Sequence, residues 1–296
     1  MTRKISRKDA LKTLTLGSVG LPALVACAES AVSSEKTEDD TVLKGNINHS
    51  ACRWCYSKIP LVDLCKAAKE MGLKAIDLLN PDEWHVAIEH GLEVSMSFGS
   101  PLGIAKGFND PQNHAQLYKD YEAIIPKAAE MGLKNIICFS GNRNGISEEK
   151  GMENCAVGLD PVVKLAEKHN VNIVMELLNS KRNHADYQCD LTPWGVALAK
   201  KVGSERFKLL YDIYHMQIME GDVIATIKEF HPYFAHYHTG GVPGRHEIDE
   251  TQELYYPAIM QAIVETGYKG FVAQEFVPAG PDPLASLKAA VKICDV

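Results

Sequence analysis

The sequence has no apolar run long enough to cross a lipid bilayer. Its longest apolar stretch, residues 13–26, has 14 residues, whereas a membrane-spanning helix needs about 20. No Gly-x-Gly-x-x-Gly turn follows the first strand-like run, which argues against a dinucleotide-binding sheet. Basic residues are outnumbered, with 31 Lys and Arg against 38 Asp and Glu in 296 residues. Because an acidic surface repels phosphate backbones, a nucleic-acid partner is not expected.

Residues 1–27 show, in order, the features of a bacterial export signal. A basic segment precedes the apolar run, which ends in L-V-A-C at Cys27. This ending is similar to a lipobox, in which the cysteine is diacylated and begins the mature chain. We therefore expect an exported protein, periplasmic or held at the membrane only by an N-terminal lipid anchor. A segment similar to the twin-arginine motif has Lys8 as its second basic residue, which leaves the choice of translocon open.

The next segment, residues 28–43, is polar and has no periodic apolar face, which predicts a flexible tether. The folded domain is then expected over residues 44–296, a length typical of a single (β/α)8 TIM barrel. Without residues 1–27 the chain carries 26 basic and 37 acidic residues, a net charge of −11. This acidic surplus suits metal-ion chemistry on a small neutral or carboxylate substrate.

The eight cysteines do not follow a pattern typical of a disulfide-rich or zinc-bound domain. Cys52 and Cys55 form one C-x-x-C pair without a second pair, which is weak evidence for zinc or redox chemistry. Cys138 lies in an apolar strand-like run and is expected in the core. Lipidation of Cys27 would leave an odd number of cysteines, which argues against a complete disulfide framework.

Short apolar runs alternate with longer amphipathic runs along the predicted domain. Eight strand-like runs, each followed by a helix-like run, predict an α/β fold with a parallel sheet. Eight such units close naturally into a barrel, and an open doubly wound sheet is the alternative. The strand-like runs are residues 46–49, 75–79, 93–97, 135–139, 172–176, 208–211, 235–238 and 270–275. The helix-like runs are residues 61–71, 82–90, 114–131, 148–169, 194–202, 222–230, 256–266 and 283–293.

The last four strand-like runs each end in an ionisable residue: Glu176, Asp212, His238 and Glu275. Barrel enzymes place their sites at the carboxyl ends of the strands, and a carboxylate in an apolar run needs a partner or a metal ion. Three carboxylates meeting there would repel one another unless a divalent cation held them together. Three oxygen ligands and one imidazole suit Mn²⁺ or Mg²⁺, with Co²⁺ or Zn²⁺ as alternatives. Separate ion pairs with Lys or Arg are the structural alternative.

Four segments carry a resemblance to a known enzyme family: L-Y-D-I-Y-H-M-Q-I-M-E-G at 210–221, G-V-P-G-R-H-E at 241–247, M-E-L-L-N at 175–179 and Q-E-F at 274–276. Together they resemble the hydroxypyruvate isomerases, which belong to the xylose-isomerase-like barrel superfamily. The resemblance covers the chain from about residue 44 onward. It implies one divalent metal ion bound by Glu176, Asp212, His238 and Glu275. It also implies that Glu176 and Glu275 serve as the acid–base pair.

The chain departs from this family at two positions. His238 stands where bacterial hydroxypyruvate isomerases carry Gln, and a histidine there is similar to the ketose 3-epimerases. Those epimerases have a second Glu six residues after the Glu of their fifth strand, where this chain has Arg182. The sequence therefore matches neither group fully and leaves the substrate open.

The mechanism implied by this constellation is proton transfer through a cis-enediolate. A metal ion bound to adjacent carbonyl and hydroxyl oxygens acidifies the C–H bond between them. One glutamate removes the proton, which returns at the neighbouring carbon in an isomerase or on the opposite face in an epimerase. The first expectation is hydroxypyruvate isomerase activity, which interconverts hydroxypyruvate and tartronate semialdehyde. A ketose 3-epimerase, or an enzyme acting on 3-keto sugars, is the alternative.

Further residues are candidates for substrate binding. By resemblance, His215 hydrogen-bonds a substrate oxygen. The fork of Arg245 could clamp a substrate carboxylate or hydroxyl, and Glu247 could orient Arg245. His236 shares the inward strand face of His238 and is expected in the core or behind the ligands. Weaker candidates, each with a packing or loop alternative, are His49, Trp54, His184, Asp186 and Tyr187.

Two other functions remain as alternatives to an isomerase. A catalytically inactive sugar-binding lipoprotein would be expected to have lost a ligand, and all four are present. A DNA-repair enzyme of the same superfamily would need a basic face and a larger metal cluster, which the net charge of −11 opposes. The expected partner is therefore a small-molecule sugar or keto acid. Exposed helices could also support a homo-oligomer.

Overall fold

The computed structural model describes residues 42–296. The predicted export signal at 1–27 and residues 28–41 of the predicted tether lie outside the described residues. Of that tether only residues 42 and 43 are described, and Leu43 already packs against the core. Within 42–296, no helix combines the length and apolar character needed to cross a membrane.

Eight parallel strands close into a barrel in which each strand pairs with its neighbours in chain order. Closure is made by the pairing of the first strand with the last, where His49 aligns with Val272. This pairing confirms the predicted (β/α)8 barrel and excludes the open doubly wound sheet. The strands are β1 Asn48–Cys52, β2 Ala75–Leu79, β3 Glu93–Ser97, β4 Asn135–Cys138, β5 Asn172–Glu176, β6 Phe207–Asp212, β7 Phe234–Thr239 and β8 Phe271–Gln274.

Helices connect the strands and cover the outside of the barrel. The α-helices between 42 and 296 are α1 Leu61–Glu70, α2 Trp84–Glu89, α3 His114–Glu130, α4 Glu148–His169, α5 Thr192–Val202, α6 Ile213–Met219, α7 Val223–Phe230, α8 Tyr256–Glu265 and α9 Pro283–Cys294. The short helix α6 is absent from the sequence-based prediction. It begins directly after β6 because the carboxylate of Asp212 accepts a hydrogen bond from the backbone N–H of His215 at 3.1 Å. A residue predicted as a metal ligand is therefore also the N-cap of a helix.

The inside of the barrel is filled by its own apolar cluster, separate from the larger core between strands and helices. One side chain from each of seven strands contributes: Cys52, Leu78, Met96, Ile137, Val174, Leu210 and Ala273. Successive strand residues face opposite sides of the sheet, so the residues two positions later on β5, β6 and β8 also face inward. These residues are Glu176, Asp212 and Glu275, which the fold thus places at the carboxyl-terminal mouth of the barrel.

Candidate metal centre

The four ionisable residues predicted at the ends of strands meet at one point in the barrel mouth. Ligand atoms from Glu176, Asp212, His238 and Glu275 all lie within 4.8 Å of one another. Strand register contributes directly, because Asp212 on β6 aligns with His238 on β7. All four side chains are buried, the most exposed being Glu176 at 4%. The structure therefore brings together the complete set that the sequence predicts.

His238 stands at the centre of this group. Its Nδ1 lies 2.9 Å from Glu275 Oε2, 3.4 Å from Glu176 Oε1 and 3.9 Å from Asp212 Oδ2. Neither Nδ1 of His238 nor Oε1 of Glu176 has a hydrogen-bond partner within residues 42–296, although both atoms are buried. Buried polar atoms without partners are costly, and a shared cation would satisfy both. The donor set of three carboxylates and one imidazole fits a divalent ion such as Mn²⁺ or Mg²⁺.

The pKa values of the three carboxylates also indicate that the site needs a positive charge. Burial, followed by the charge of Glu275, raises the pKa of Asp212 well above its usual value. Burial also raises the pKa of Glu176. Burial alone would raise the pKa of Glu275 too, but Arg245 and then His238 hold it well below its usual value. Three carboxylates in so small a space thus need positive charge to remain ionised together.

Arg245 supplies part of that charge from the loop after β7. One terminal nitrogen, Nη2, makes a short hydrogen bond to Glu275 Oε2 and lies 3.5 Å from Asp212 Oδ2. The guanidinium carbon lies 5.1 Å from the ring centre of Trp54 and 5.3 Å from that of Tyr214. Cation–π contacts of this kind hold a guanidinium in place. Arg245 is therefore a fixed part of the site and not a solvated loop residue.

His215 lies in the first turn of α6 and is fully buried. Its Nδ1 accepts hydrogen bonds from the backbone N–H of Asn179 at 3.2 Å and from its side-chain amide at 2.6 Å. Burial, followed by the charge of Arg245, lowers the pKa of His215 well below its usual value, so the ring is neutral. A neutral imidazole carries one proton, which these bonds assign to Nε2. That nitrogen is 3.6 Å from Asp212 Oδ2 and faces the site.

Trp54, a weaker candidate in the sequence with packing as its alternative, makes a polar contact in the site. Its indole N–H donates to Glu275 Oε1 at 2.8 Å. Glu275 is thus held by Trp54 through one oxygen and by Arg245 through the other. This arrangement fixes the orientation of one of the two predicted acid–base residues.

Glu247, predicted to act in substrate binding and to orient Arg245, contacts a different loop. Its carboxylate accepts hydrogen bonds from the backbone N–H groups of Ala279 and Gly280 and from the hydroxyl of Ser286 at 2.8 Å. These contacts connect the loop after β7 with the loop after β8. Among the contacts of residues 42–296, none joins the Glu247 carboxylate to Arg245, so its effect on the site is through loop position.

The four weaker candidates other than Trp54 differ in their distance from the site. The ring centre of His184 is 5.2 Å from that of His215. Tyr187 donates its hydroxyl to the backbone oxygen of Glu176 at 3.0 Å, which fixes the end of β5. Asp186 accepts from the backbone N–H of Asn144 in a neighbouring loop. His49 lies near the opposite end of its strand, with Nε2 3.9 Å from Asp295.

Sequence reasoning missed Asp77, which lies behind His238. Its Oδ2 accepts a hydrogen bond from His238 Nε2 at 2.9 Å, and His236 Nε2 lies 2.9 Å from Oδ1. The signal was present, because Asp77 is a buried carboxylate within the apolar run A-I-D-L-L. The same signal marks Glu176 and Asp212, but Asp77 lies in the middle of its apolar run and not at its end.

Comparison with known proteins identifies the family of the chain. The family model for the xylose isomerase-like TIM barrel matches residues 65–293. A human protein provisionally named hydroxypyruvate isomerase is 30% identical over 235 residues, covering 77% of this chain and 78% of the relative. A 2-oxo-tetronate isomerase from Cupriavidus necator is 28% identical over 238 residues, covering 75% of this chain and 89% of the relative. The resemblance seen in the four sequence segments is thereby confirmed.

Solved structures share the fold at lower identity. An AP endonuclease of family 2 from Brucella melitensis superposes with a TM-score of 0.74 at 21% identity, covering 81% of this chain and 97% of that structure. A 3-keto-D-glucoside 4-epimerase from E. coli gives a TM-score of 0.71 at 16% identity, covering 83% and 98%. The chain belongs to the xylose isomerase-like TIM barrel family and is an isomerase related to the hydroxypyruvate isomerases.

Proposed function

We propose that this isomerase is metal-dependent and transfers a proton between adjacent carbons of a hydroxy-carbonyl substrate through a cis-enediolate. The observation that carries the proposal is the buried group of Glu176, Asp212, His238 and Glu275, whose ligand atoms lie within 4.8 Å of one another. These four residues would hold one divalent ion, Mn²⁺ or Mg²⁺ in the first instance, with Co²⁺ or Zn²⁺ as alternatives. When bound, the ion would polarise the substrate carbonyl and make the adjacent C–H bond more acidic.

Glu176 and Glu275 are the residues proposed to move the proton. They enter the site from different strands, Glu176 from β5 and Glu275 from the end of β8. Glu275 has a lowered pKa and is ready to accept a proton, whereas Glu176 has a raised pKa and is better suited to hold one. Two carboxylates with pKa values driven apart by their surroundings are typical of an acid and a base working together.

His215 and Arg245 are proposed to bind the substrate. The Nε2–H group of His215 faces the site and has no hydrogen-bond partner among residues 42–296, so it is free to donate to a substrate oxygen. The guanidinium of Arg245, held between two aromatic rings, would bind the carboxylate of a keto acid or a sugar hydroxyl. Hydroxypyruvate offers both groups and is the first substrate that we propose, by likeness to the relatives described above.

A larger sugar is the second candidate, and one observation favours it. A cavity of about 610 Å³ lies beyond the carboxyl ends of β2, β3 and β4. Its lining residues are not those of the candidate metal centre, so only a substrate that extends past that centre would reach it. Phe98, Phe139 and Ile104 line it, and the two phenylalanines pack on the interior cluster that includes Cys52. A three-carbon acid would leave most of this volume unfilled, whereas the C–H face of a sugar ring would pack against the aromatic wall. Export of the enzyme, which we also propose from residues 1–27, would bring it into contact with sugars outside the cytoplasm.

Deuterium labelling tests the reaction and separates the candidates. The Mn²⁺-loaded protein would be incubated in D₂O with hydroxypyruvate and, separately, with ketoses and 3-keto sugars, and NMR would locate the label. Label at the hydroxyl-bearing carbon of hydroxypyruvate would support the first substrate. Label at C3 of a ketose, or next to the keto carbon of a 3-keto sugar, would support the second. Absence of label with metal bound would favour a sugar-binding protein without catalysis, and Glu275→Gln is the control for label from other sources.

A further inference from the structure

We propose that Asp77 is a positioning residue that fixes the ring of His238, so that Nδ1 faces the three carboxylates of the candidate metal centre. The inference rests on the proposed metal-dependent function and extends it to a residue on a strand that supplies no ligand. It is carried by the contacts of Asp77 and by an irregularity in β2.

The carboxylate of Asp77 is fully buried and surrounded by donors. Oδ2 accepts from His238 Nε2 at 2.9 Å and from the thiol of Cys52 at 3.2 Å. Oδ1 accepts from the hydroxyl of Ser95 at 2.5 Å and lies 2.9 Å from His236 Nε2. A carboxylate bonded on both oxygens within a closely packed barrel has little freedom to rotate.

This contact decides which nitrogen of His238 is available to a cation. An ionised carboxylate can only accept, so the proton of a neutral His238 must lie on Nε2, facing Asp77. The lone pair is then on Nδ1, the atom 2.9 Å from Glu275 and 3.4 Å from Glu176. A carboxylate behind a metal-binding imidazole orients the ring and makes its free nitrogen a better donor.

The backbone of β2 is irregular on both sides of Asp77. The register with β3 shifts between Ile76 and Asp77 and again between Asp77 and Leu79. Leu78 has a φ of +52°, a left-handed conformation that a bulky L-residue rarely adopts. Leu78 packs in the barrel interior, beside the inward-facing Asp77, whereas regular alternation would have turned it outward. Such a bulge redirects side chains near a site.

A second metal ion between Asp77, His236 and His238 is the competing explanation, since these residues also form a compact group. Nε2 of His238 makes a hydrogen bond to Asp77 Oδ2 at 2.9 Å, whereas Nε2 of His236 lies 2.9 Å from Oδ1 without the geometry of a hydrogen bond. The same Nε2 of His238 cannot donate to Asp77 and bind a cation at once. We therefore expect one divalent ion per chain, bound at Nδ1.

The test compares Mn²⁺ binding by calorimetry in the full-length protein and three variants. Asp77→Leu, which keeps the size and removes the acceptors, should weaken binding about 10- to 100-fold. Asp77→Asn, which retains one acceptor oxygen, should recover part of this loss. Ser95→Ala is the matched control, because it removes a hydrogen bond from Asp77 without touching His238, and it should change the Kd by less than about threefold.

If Asp77→Leu does not fold, a measurement on the unmodified protein still tests the inference. In the Mg²⁺-loaded protein, ¹⁵N NMR of labelled histidines should show His238 protonated on Nε2 alone. Protonation on Nδ1, two Mn²⁺ per chain, or unchanged affinity in a folded Asp77→Leu variant would each overturn it. A wild-type protein that binds no divalent ion would instead refute the proposed function, and the inference with it.

Discussion

Replacement of Trp54 by phenylalanine would test whether a single hydrogen bond orients the carboxylate of Glu275, one of the two residues proposed to move the proton. The indole N–H donates to Glu275 Oε1 at 2.8 Å, while its ring stacks on the guanidinium of Arg245. Phenylalanine keeps an aromatic ring for Arg245 and removes only the donor. The variant therefore isolates the hydrogen bond from the cation–π contact.

The expected loss follows from the charge and exposure of this contact. A hydrogen bond to a charged acceptor contributes about 1.5–3 kcal/mol. Because Trp54 is 38% exposed, water can partly replace the donor, and we take the lower end of that range. About 1.4 kcal/mol corresponds to tenfold in rate. We therefore expect Trp54→Phe to lower kcat for proton exchange about tenfold, with Mn²⁺ affinity little changed.

The assay is the initial rate of deuterium incorporation into the substrate that the wild-type protein labels, measured at equal metal occupancy. Trp194→Phe is the matched control. Its indole N–H donates at 3.4 Å to the backbone oxygen of Glu148, away from the candidate metal centre. Equal rates for Trp54→Phe and the wild-type protein would refute the orienting role, as would an equal loss in the Trp194→Phe variant.

Three further predictions concern different parts of the barrel. Replacing Asn179 by leucine removes the side-chain donor to His215 Nδ1 at 2.6 Å and leaves the backbone N–H donor at 3.2 Å. The proton is then held less firmly on Nε2, and kcat should fall about tenfold while Mn²⁺ affinity stays within threefold in calorimetry. Replacing Phe139 by alanine removes part of the apolar cavity wall and should raise KM for a ketohexose about tenfold without changing KM for hydroxypyruvate; equal changes for both would contradict a sugar subsite. Burial lowers the pKa of His49 to about 4, below its unfolded value of about 6.5, so the unfolded chain binds more protons between these values and stability should fall as pH decreases from 6.5 to 4. Urea unfolding should show a loss approaching about 3 kcal/mol, and His49→Gln, which does not titrate, should reduce that pH dependence.

One hydrogen bond of the site spans the place where the barrel closes. The first strand contributes Trp54 through the turn that follows it, and the eighth contributes Glu275, so their hydrogen bond spans the seam where β1 pairs with β8. Glu247 ties the loops after β7 and β8 together next to this seam. Loosening of the seam is therefore expected to move Glu275 before it disturbs Glu176 or Asp212.

The sequence by itself determined the repeating units and the strand ends that carry the ligands. Buried parallel strands are apolar throughout, so an isolated carboxylate at the end of such a run stands out, as it does at Glu176 and Asp212. Helix and strand limits agree closely with the structure where periodicity is long, as in α4 at Glu148–His169. The predicted first strand, residues 46–49, begins two residues before the observed β1. The sequence carries no sign of where pairing with β8 begins.

Only the tertiary structure decided how these residues meet and what supports them. The contact of Asp77 with His238 is made across the barrel interior, between the non-neighbouring strands β2 and β7, and a sequence pattern does not specify such a contact. The placement of Arg245 between Trp54 and Tyr214 joins loops that are far apart in the chain. Glu247 and the backbone of residues 279–280 are likewise far apart in the chain and meet only in the folded barrel. Strand ends are local features that a sequence can show, whereas contacts across the barrel mouth exist only once the sheet has closed.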